Sequence, residues 1–215
     1  LAAFAGLGQA SSLAVPLARA LARRRFPGRG LLVTLLGAPF LLPVIVAVLG
    51  LLTVFGRSGW VNAGLGLLGL PPVQIYGFHG VVLAHVFFNL PLATRLILQG
   101  WAEIPAERFR LAAQLGLGPA EIRRFLEWPM LRRIAPGAFA VIFGICLTSF
   151  AVALTLGGGP RATTVELAIY QAFQFDFDLG RAAFLACVQI LLTLGAAALA
   201  LRLSAGEGFG AGLDR

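Results

Sequence analysis

Residues 182–201 run AAFLACVQILLTLGAAALAL and contain no charged side chain, although Arg181 and Arg202 lie directly on either side. A helix that crosses the hydrocarbon core of a bilayer needs about 20 predominantly apolar residues. This stretch therefore predicts a membrane-spanning helix.

The composition of the whole chain agrees with this prediction. Of its 215 residues, 59% are hydrophobic and only 12% are charged, whereas soluble domains carry about 25% charged residues. So few charges could not cover a soluble core of this size, but lipid accepts an apolar exterior. Further charge-free windows, each long enough for a spanning helix, cover residues 1–18, 30–56, 58–94 and 134–160.

The window at residues 58–94 is too long for one helix, and its glycines and prolines interrupt helical structure. We divide it into an outer segment, residues 58–75, with a short surface helix at 60–70, and a spanning helix at about 76–99. The sequence thus predicts an all-α polytopic membrane protein with about five spans. Residues 1–203 would form this transmembrane domain, and residues 204–215 a Gly-rich linker that leads to a further part of the protein.

The distribution of arginines predicts the orientation of the spans. All 17 basic residues are arginine, and fourteen of them fall on one side in this arrangement, mostly after the first and third spans. Because loops rich in Lys and Arg remain in the cytoplasm, the N-terminus is predicted outside and the C-terminus inside. The net charge of +8 does not indicate nucleic-acid binding, because the arginines lie in short runs between apolar stretches.

The loop at residues 102–133 is too polar to span and too regular for a plain linker. Phe109, Ala112 and Ala113 fall at i, i+3 and i+4, which predicts an amphipathic helix at 106–115. An amphipathic helix between two spans can dock into a groove on a soluble partner or rest on lipid headgroups. Both interpretations stay open at this point.

The same loop contains two further helix signals. Glycine and proline at residues 116–119 predict a break, and a second short helix is expected at 120–128. Pro129 then opens the next span.

This loop resembles the cytoplasmic loop of permeases in binding-protein-dependent ABC importers. Those permeases carry Glu-Ala-Ala, three residues, Gly, nine residues, Ile, one residue and Leu-Pro. Placing Pro129 on the motif's proline puts Gly116 on its glycine, so the spacing is kept. The remaining motif positions hold, in chain order, Arg110, Leu111, Ala112, Leu126 and Trp128. The usual Glu is thus replaced by Arg110, and Glu107 lies one turn earlier.

Longer stretches resemble one branch of this family, the thiamine and thiamine pyrophosphate importer permeases, and in particular their N-terminal half. The matching residues are 26–29, 56–60, 85–95, 111–116, 127–129, 131–133, 149–160 and 162–171. Permeases for ferric iron share parts of these stretches and remain an alternative. In the thiamine family one chain holds two such halves, so a second permease half is expected in the same chain or in another.

The resemblance implies a transport subunit of the bacterial inner membrane, with no cofactor and no enzyme activity of its own. Separate ABC ATPase subunits would hydrolyse ATP in the cytoplasm, and a periplasmic solute-binding protein would deliver thiamine or a related solute. The residues implied in coupling to the ATPase are Glu107, Arg108, Phe109, Arg110, Leu111, Ala112, Leu115, Gly116 and Pro129. Among them, Phe109, Leu111 and Leu115 form the predicted docking face.

Polar residues within the spans are candidates for the translocation path. His85 and Asn89 lie four residues apart and share a helical face, and Ser149 lies in the fourth span. Hydrogen bonds between helices are the alternative explanation for all three. The residues expected to contact the binding protein at the outer mouth are Gly158, Gly159, Glu166, Asp176 and Asp178.

The sequence contains no motif that indicates catalysis. It has neither a His-Glu-x-x-His pattern nor a Walker lysine. A membrane-embedded enzyme acting on lipids would need paired acids or histidines near the bilayer midplane, and the predicted spans contain no acid. An assembly subunit, the other alternative, would lack the amphipathic helix and need no ATPase.

Overall fold

The structure is a computed structural model that describes residues 2–157 and 164–204. Every regular element within these residues is helical. In chain order they are α1 (Ala2–Arg23), α2 (Arg29–Leu35), α3 (Ala38–Leu41), α4 (Val44–Phe55), α5 (Trp60–Leu67), α6 (Phe78–Ala102), α7 (Ala106–Gln114), α8 (Pro119–Ile122), a π-helical turn (Arg123–Glu127), α9 (Trp128–Leu147), α10 (Phe150–Leu156), α11 (Val165–Gln174) and α12 (Leu179–Ser204).

Four helical segments of the described chain are long and apolar enough to cross a membrane, which confirms the predicted all-α polytopic class. They cover Val44–Leu67, Phe78–Ala102, Pro119–Leu147 and Leu179–Leu203. The 22-residue α1 is not among them, because Gln9, Ser11 and Ser12 make it less apolar. The first predicted span therefore stays a prediction.

Small side chains bring α1 against α6. Ala10, Ala14 and Ala18 are fully buried, and their spacing of four residues places them on one face of the helix. Small residues let two helix backbones approach closely. Gly6 continues this face, because a Cβ at that position would lie only 2.7 Å from the Cβ of His85.

The central helix of the bundle is α6, which contributes to both apolar cores. Near its start, Val81 packs in one core with Val48 of α4 and Leu156 of α10. Near its end, Ile97 packs in the other with Ile142 of α9. The helix therefore links the two ends of the molecule, and its residues line part of each cavity described below.

The predicted span at residues 30–56 is not one helix but is broken into α2, α3 and α4. Pro43 lacks an N–H, and its ring disfavours helical geometry at the preceding residue. Leu42 accordingly has an extended ψ of 134°. Only the last of the three helices forms part of a segment long enough to span.

Residues 58–94 contain two separate helices, as predicted. α5 covers part of the stretch predicted as a surface helix, and α6 begins at Phe78, two residues later than predicted. A surface position for α5 stays a prediction, because the candidate span Val44–Leu67 includes it. Asn62 holds the connection between them. Its Nδ2 donates to the carbonyls of Gly56 (2.8 Å) and Val73 (2.9 Å), and its Oδ1 accepts from the Val73 N–H (2.7 Å).

The second short helix predicted at 120–128 is not a separate element. α8, the π-helical turn and α9 follow one another without a break, and Trp128 begins α9. Pro129 is the second residue after the π-helical turn within this continuous helical run, where its missing N–H interrupts the regular i→i−4 hydrogen-bond pattern. The span predicted at 134–160 is also shorter than expected, because α9 ends at Leu147 and a new helix starts at Phe150.

The last helix, α12, is the least covered of the four candidate spans. Only 6% of its most apolar window is buried, and Leu191, Leu194 and Leu201 are exposed. Cys187 on the same helix is exposed as well. So much apolar surface requires lipid or another membrane helix around it.

Candidate functional site

The loop after α6 contains the amphipathic helix that the sequence predicts. α7 starts after Pro105 and ends where Gly116 adopts a left-handed φ of 69°. The N–H of Gly116 donates to Ala113 (3.1 Å), and the N–H of Leu117 donates to Ala112 (2.9 Å). This arrangement closes the end of a helix with the glycine in the left-handed region, so the motif's glycine has a structural reason.

The side chains of α7 divide between an inner and an outer face. Ala112 is buried, whereas Leu111 and Leu115 are 55% and 66% exposed. Phe109 is placed differently from these two leucines, and its contact with an ATPase stays a prediction. This ring is half-buried and lies beneath the Arg23 guanidinium, 5.8 Å from its Cζ. Phe109 thus contacts its own chain, and Leu111 and Leu115 form the apolar part of the outer face.

The charged residues of α7 also differ in how far they are exposed. Glu107 and Arg110 form an ion pair of 3.0 Å in which both side chains are 73% exposed, so the pair contributes little to stability. Arg108 is half-buried and lines a cleft between α7 and α9 together with Pro129 and Arg133. Of the charged residues of α7, the exposed Glu107–Arg110 pair is therefore the part most accessible to a partner.

Sequence reasoning missed Glu127, a buried carboxylate at the end of the π-helical turn. Only 1% of its side chain is exposed, and its two oxygens accept hydrogen bonds from Arg19 Nε (2.8 Å) and Arg23 Nε (2.7 Å). These contacts join the end of α1 to the segment that follows α7. Arg19 and Arg23 lie four residues apart and share a helical face, which was the one available signal.

The candidate path residues come together around a cavity of about 490 Å³ beside the middle of α6. His85 Nε2 lies 2.8 Å from Ser149 Oγ, and Ser149 Oγ donates to the Cys146 carbonyl at 2.7 Å. The direction of the hydrogen bond between His85 and Ser149 depends on the tautomer of the imidazole. Asn89 completes the group by donating from Nδ2 to Cys146 Sγ at 3.2 Å.

The walls of this cavity are uncharged apart from the titratable His85. Phe88 and Phe150 contribute aromatic rings, and Thr148 contributes a hydroxyl at the break between α9 and α10. The Asn89 side chain is fully buried, and its Oδ1 has no hydrogen-bond partner among the described residues. An unpartnered buried carbonyl is costly, so this position suits a ligand or water that donates a hydrogen bond.

The acids predicted at the outer mouth form hydrogen bonds or ion pairs with other residues of the same chain. Glu166 Oε2 accepts a hydrogen bond from the Phe150 N–H at 3.0 Å, which ties α11 to the start of α10. Asp178 Oδ1 accepts from the Arg181 N–H at 2.9 Å, and exposed Asp176 pairs with the Arg181 side chain at 3.3 Å. Gly158 and Gly159 lie outside the described residues. Contact of any of these five residues with a binding protein stays a prediction.

Several known proteins that are similar to this chain in sequence are transport system permeases. The chain is 54% identical over 192 residues to the thiamine transport system permease protein ThiP of Escherichia coli. It is 51% identical over 183 residues to the Brucella abortus protein of the same name, and 45% over 179 residues to that of Haemophilus influenzae. Over these stretches the chain is homologous to the thiamine transport permeases.

The homologous stretches cover 89%, 84% and 83% of the chain but only 36%, 34% and 33% of the respective permeases. The chain thus spans about a third of the length of the thiamine permeases it matches. A weaker relative, at 27% identity over 177 residues, is the probable sulfate transport system permease protein cysT of Helicosporidium. No protein-family model matches the chain.

Solved structures show the same fold. A chain of a bacterial ABC transporter involved in alginate import superposes with a TM-score of 0.68 at 20% identity, covering 94% of this chain and 78% of that one. A complex of bacterial alginate ABC transporter with its pentasaccharide-bound periplasmic protein gives a TM-score of 0.71 at 21% identity, covering 94% and 77%. At this level of identity the likeness shows the fold alone.

Proposed function

We propose that this chain forms part of the membrane-embedded permease of an ATP-driven importer for thiamine or thiamine pyrophosphate in the bacterial cytoplasmic membrane. The observation that carries the proposal is the 54% identity to the thiamine transport permease of E. coli over 89% of the chain. The other partners are a pair of ABC ATPase subunits, a periplasmic binding protein and a second permease half, in this chain's full-length protein or in another.

In this proposal α7 is the coupling helix that the ATPase grips. Exposed Leu111 and Leu115 enter a groove on the ATPase, while the Glu107–Arg110 pair lies at the rim of that contact. On the opposite face, Phe109 beneath Arg23 holds α7 against the bundle. A displacement of α7 by the ATPase is then passed to α1 and α9 through side chains that are already in contact.

The cavity around His85, Asn89 and Ser149 is the segment of the translocation path that this chain supplies. Its volume of about 490 Å³ lies within the usual range of about 300–1,000 Å³ for small-molecule sites. Thiamine carries a delocalised positive charge on a ring, and the faces of Phe88 and Phe150 attract such a cation. Amide and hydroxyl groups at Asn89 and Ser149 offer hydrogen bonds without a fixed charge that would trap the solute.

The free energy for transport comes from ATP and from the binding protein. A ligand shifts a conformational equilibrium only by the difference in its affinity for the two states. A cavity of uncharged groups binds the solute weakly in both states, so the ATPase and the binding protein set the direction of opening.

Reconstituted transport tests the proposal. The full-length protein that contains this chain is placed in liposomes with its ATPase subunits and binding protein, and uptake of radiolabelled thiamine is measured. We expect uptake that requires both ATP and the binding protein and that excess unlabelled thiamine abolishes. Accumulation of ferric iron or sulfate but not thiamine would show that the substrate is a different one. A purified complex without any ATPase would overturn the proposal of an ATP-driven importer.

A further inference from the structure

A cleft separate from the proposed path lies at the arginine-rich end of the bundle, where the ends of α1 and α6 meet α7. Its volume is about 440 Å³, and the residues that line it are Ala22, Arg23, Arg29, Leu98, Trp101, Ala102 and Phe109. The path cavity has no residue in common with it. Its function therefore does not depend on which solute the protein transports.

The two arginines of the cleft are fixed through their Nε atoms. Arg23 Nε donates to Glu127 at 2.7 Å, and Arg29 Nε donates to the Leu21 carbonyl at 2.7 Å. Among the described residues, no hydrogen bond is formed by the terminal nitrogens of either guanidinium. Arginine presents its donors in a planar fork that matches phosphate oxygens. Two forks held in place with their terminal donors available form a site for an anion with several oxygens.

Trp101 adds a buried donor to the same cleft. Its side chain is only 6% exposed, and its indole Nε1–H has no hydrogen-bond partner among the described residues. Leaving a buried N–H unpaired costs free energy. An acceptor oxygen brought into the cleft, with a small adjustment of the ring, would remove that cost.

The charge and the walls define the class of ligand. Glu127 is the single carboxylate bonded to Arg19 and Arg23, so with Arg29 positive charge is in excess. The walls between these charges are apolar, formed by Leu98, the Phe109 ring and alanines. The cleft thus combines anion donors with apolar surface at the ends of α1 and of the candidate span α6, which is the pattern of headgroup sites for acidic lipids.

We propose that this cleft binds a phosphate group carried by an amphipathic molecule, the headgroup of an anionic phospholipid. The phosphate oxygens accept hydrogen bonds from the terminal nitrogens of Arg23 and Arg29 and from Trp101 Nε1. The first part of the acyl chains follows Leu98 and the apolar side of α6. A bound headgroup stabilises the contact between α1 and α7 at the place where the proposed coupling helix joins the bundle.

The test measures lipid binding to the full-length protein after delipidation in a neutral detergent. Native mass spectrometry counts retained lipids while phosphatidylglycerol or phosphatidylcholine is added, and the dissociation constant is compared between variants. We expect phosphatidylglycerol to bind in preference to phosphatidylcholine. Arg29→Gln should weaken it about tenfold, the effect of losing a charge-assisted hydrogen bond. Trp101→Phe, which keeps an aromatic ring but removes the N–H, should weaken it as well.

Arg25→Gln is the matched control, because Arg25 is an exposed arginine nearby that does not line the cleft. Equal effects of Arg25→Gln and Arg29→Gln would overturn the proposal in favour of diffuse surface charge. Equal binding of the two lipids would also overturn the proposal. So would the finding that the ATPase subunits, and not lipid, cover the cleft. Competition by inorganic phosphate at millimolar concentration would support the phosphate site but assign it to a soluble phosphate compound.

Discussion

Arg23 and Glu127 lie 104 residues apart in the chain, yet Arg23 Nε donates to a Glu127 oxygen at 2.7 Å. The same arginine lies over the ring of Phe109 in α7. One side chain therefore contacts both the helix that we propose to bind the ATPase and the segment that leads into α9. Because the carboxylate is buried, it holds its partners with little competition from water.

We expect Glu127→Gln to destabilise the protein by about 2 kcal/mol, since hydrogen bonds to charged groups contribute about 1.5–3 kcal/mol. Arg19 and Arg23 keep about a third of their side-chain exposure, so water partly solvates them and the loss stays moderate. Thermal unfolding in detergent measures the effect. Glu103→Gln, at an exposed acid, should leave the unfolding temperature unchanged, and an equal shift in both variants would contradict a specific role.

Leu115→Glu should uncouple ATP hydrolysis from transport while the protein remains inserted and folded. Leu115 is 66% exposed, so the new carboxylate disturbs no internal packing, but it places a charge where an apolar groove is expected. ATPase activity and thiamine uptake are measured in the same liposomes, with Leu115→Met as the variant that keeps the apolar contact. An unchanged ratio of thiamine transported to ATP hydrolysed in Leu115→Glu would refute the docking face.

Phe88→Leu should lower the rate of thiamine uptake at low substrate concentration about fivefold, as expected for the loss of one cation–π contact. Phe88 lines the path cavity, and its neighbour Phe87 does not. The two rings contact each other edge to face at 5.4 Å, so Phe87→Leu loses the same ring pair and is a close control. Equal reductions in both variants would assign the effect to packing.

Asn62→Leu should destabilise the protein by about 2–3 kcal/mol, because each internal hydrogen bond contributes about 1 kcal/mol and Asn62 forms three. Limited proteolysis of the connection between α5 and α6 should become faster at the same time. Trp60→Leu is the control, because the neighbouring Trp60 is 74% exposed. Asn62→Leu should have the stronger effect of the two. Unchanged proteolysis in Asn62→Leu would show that the connection is held by other contacts.

The sequence predicts the apolar helices well and the interruptions poorly. α6 begins two residues after the predicted start and ends at Ala102, because long charge-free windows bounded by arginine leave few alternatives. The span at residues 30–56 was wrong as a single helix, since Pro43 breaks it within an unbroken apolar run. Hydropathy measures whether a stretch suits lipid and does not measure whether its backbone can continue as a helix.

In the candidate sites, too, contacts between residues close in the sequence could be predicted, and contacts between residues far apart in the sequence could not. His85 and Asn89 could be paired from their spacing alone, and the structure adds Ser149 at 2.8 Å from His85. The role of Glu127 could not be predicted, because its partners on α1 lie 108 and 104 residues away along the chain. Periodicity placed Phe109 on the apolar side of α7, but only the position of Arg23 shows that this side faces the bundle.

The uncovered surface of α12 carries a cysteine whose reactivity can show what covers this helix. Of the cysteines at 146 and 187, the first is buried between helices and the second is exposed. A membrane-permeant thiol reagent will therefore modify Cys187 first, without any engineered substitution. Its labelling rate, followed as the assembly is built up from purified components, will show whether lipid or a neighbouring subunit covers that helix.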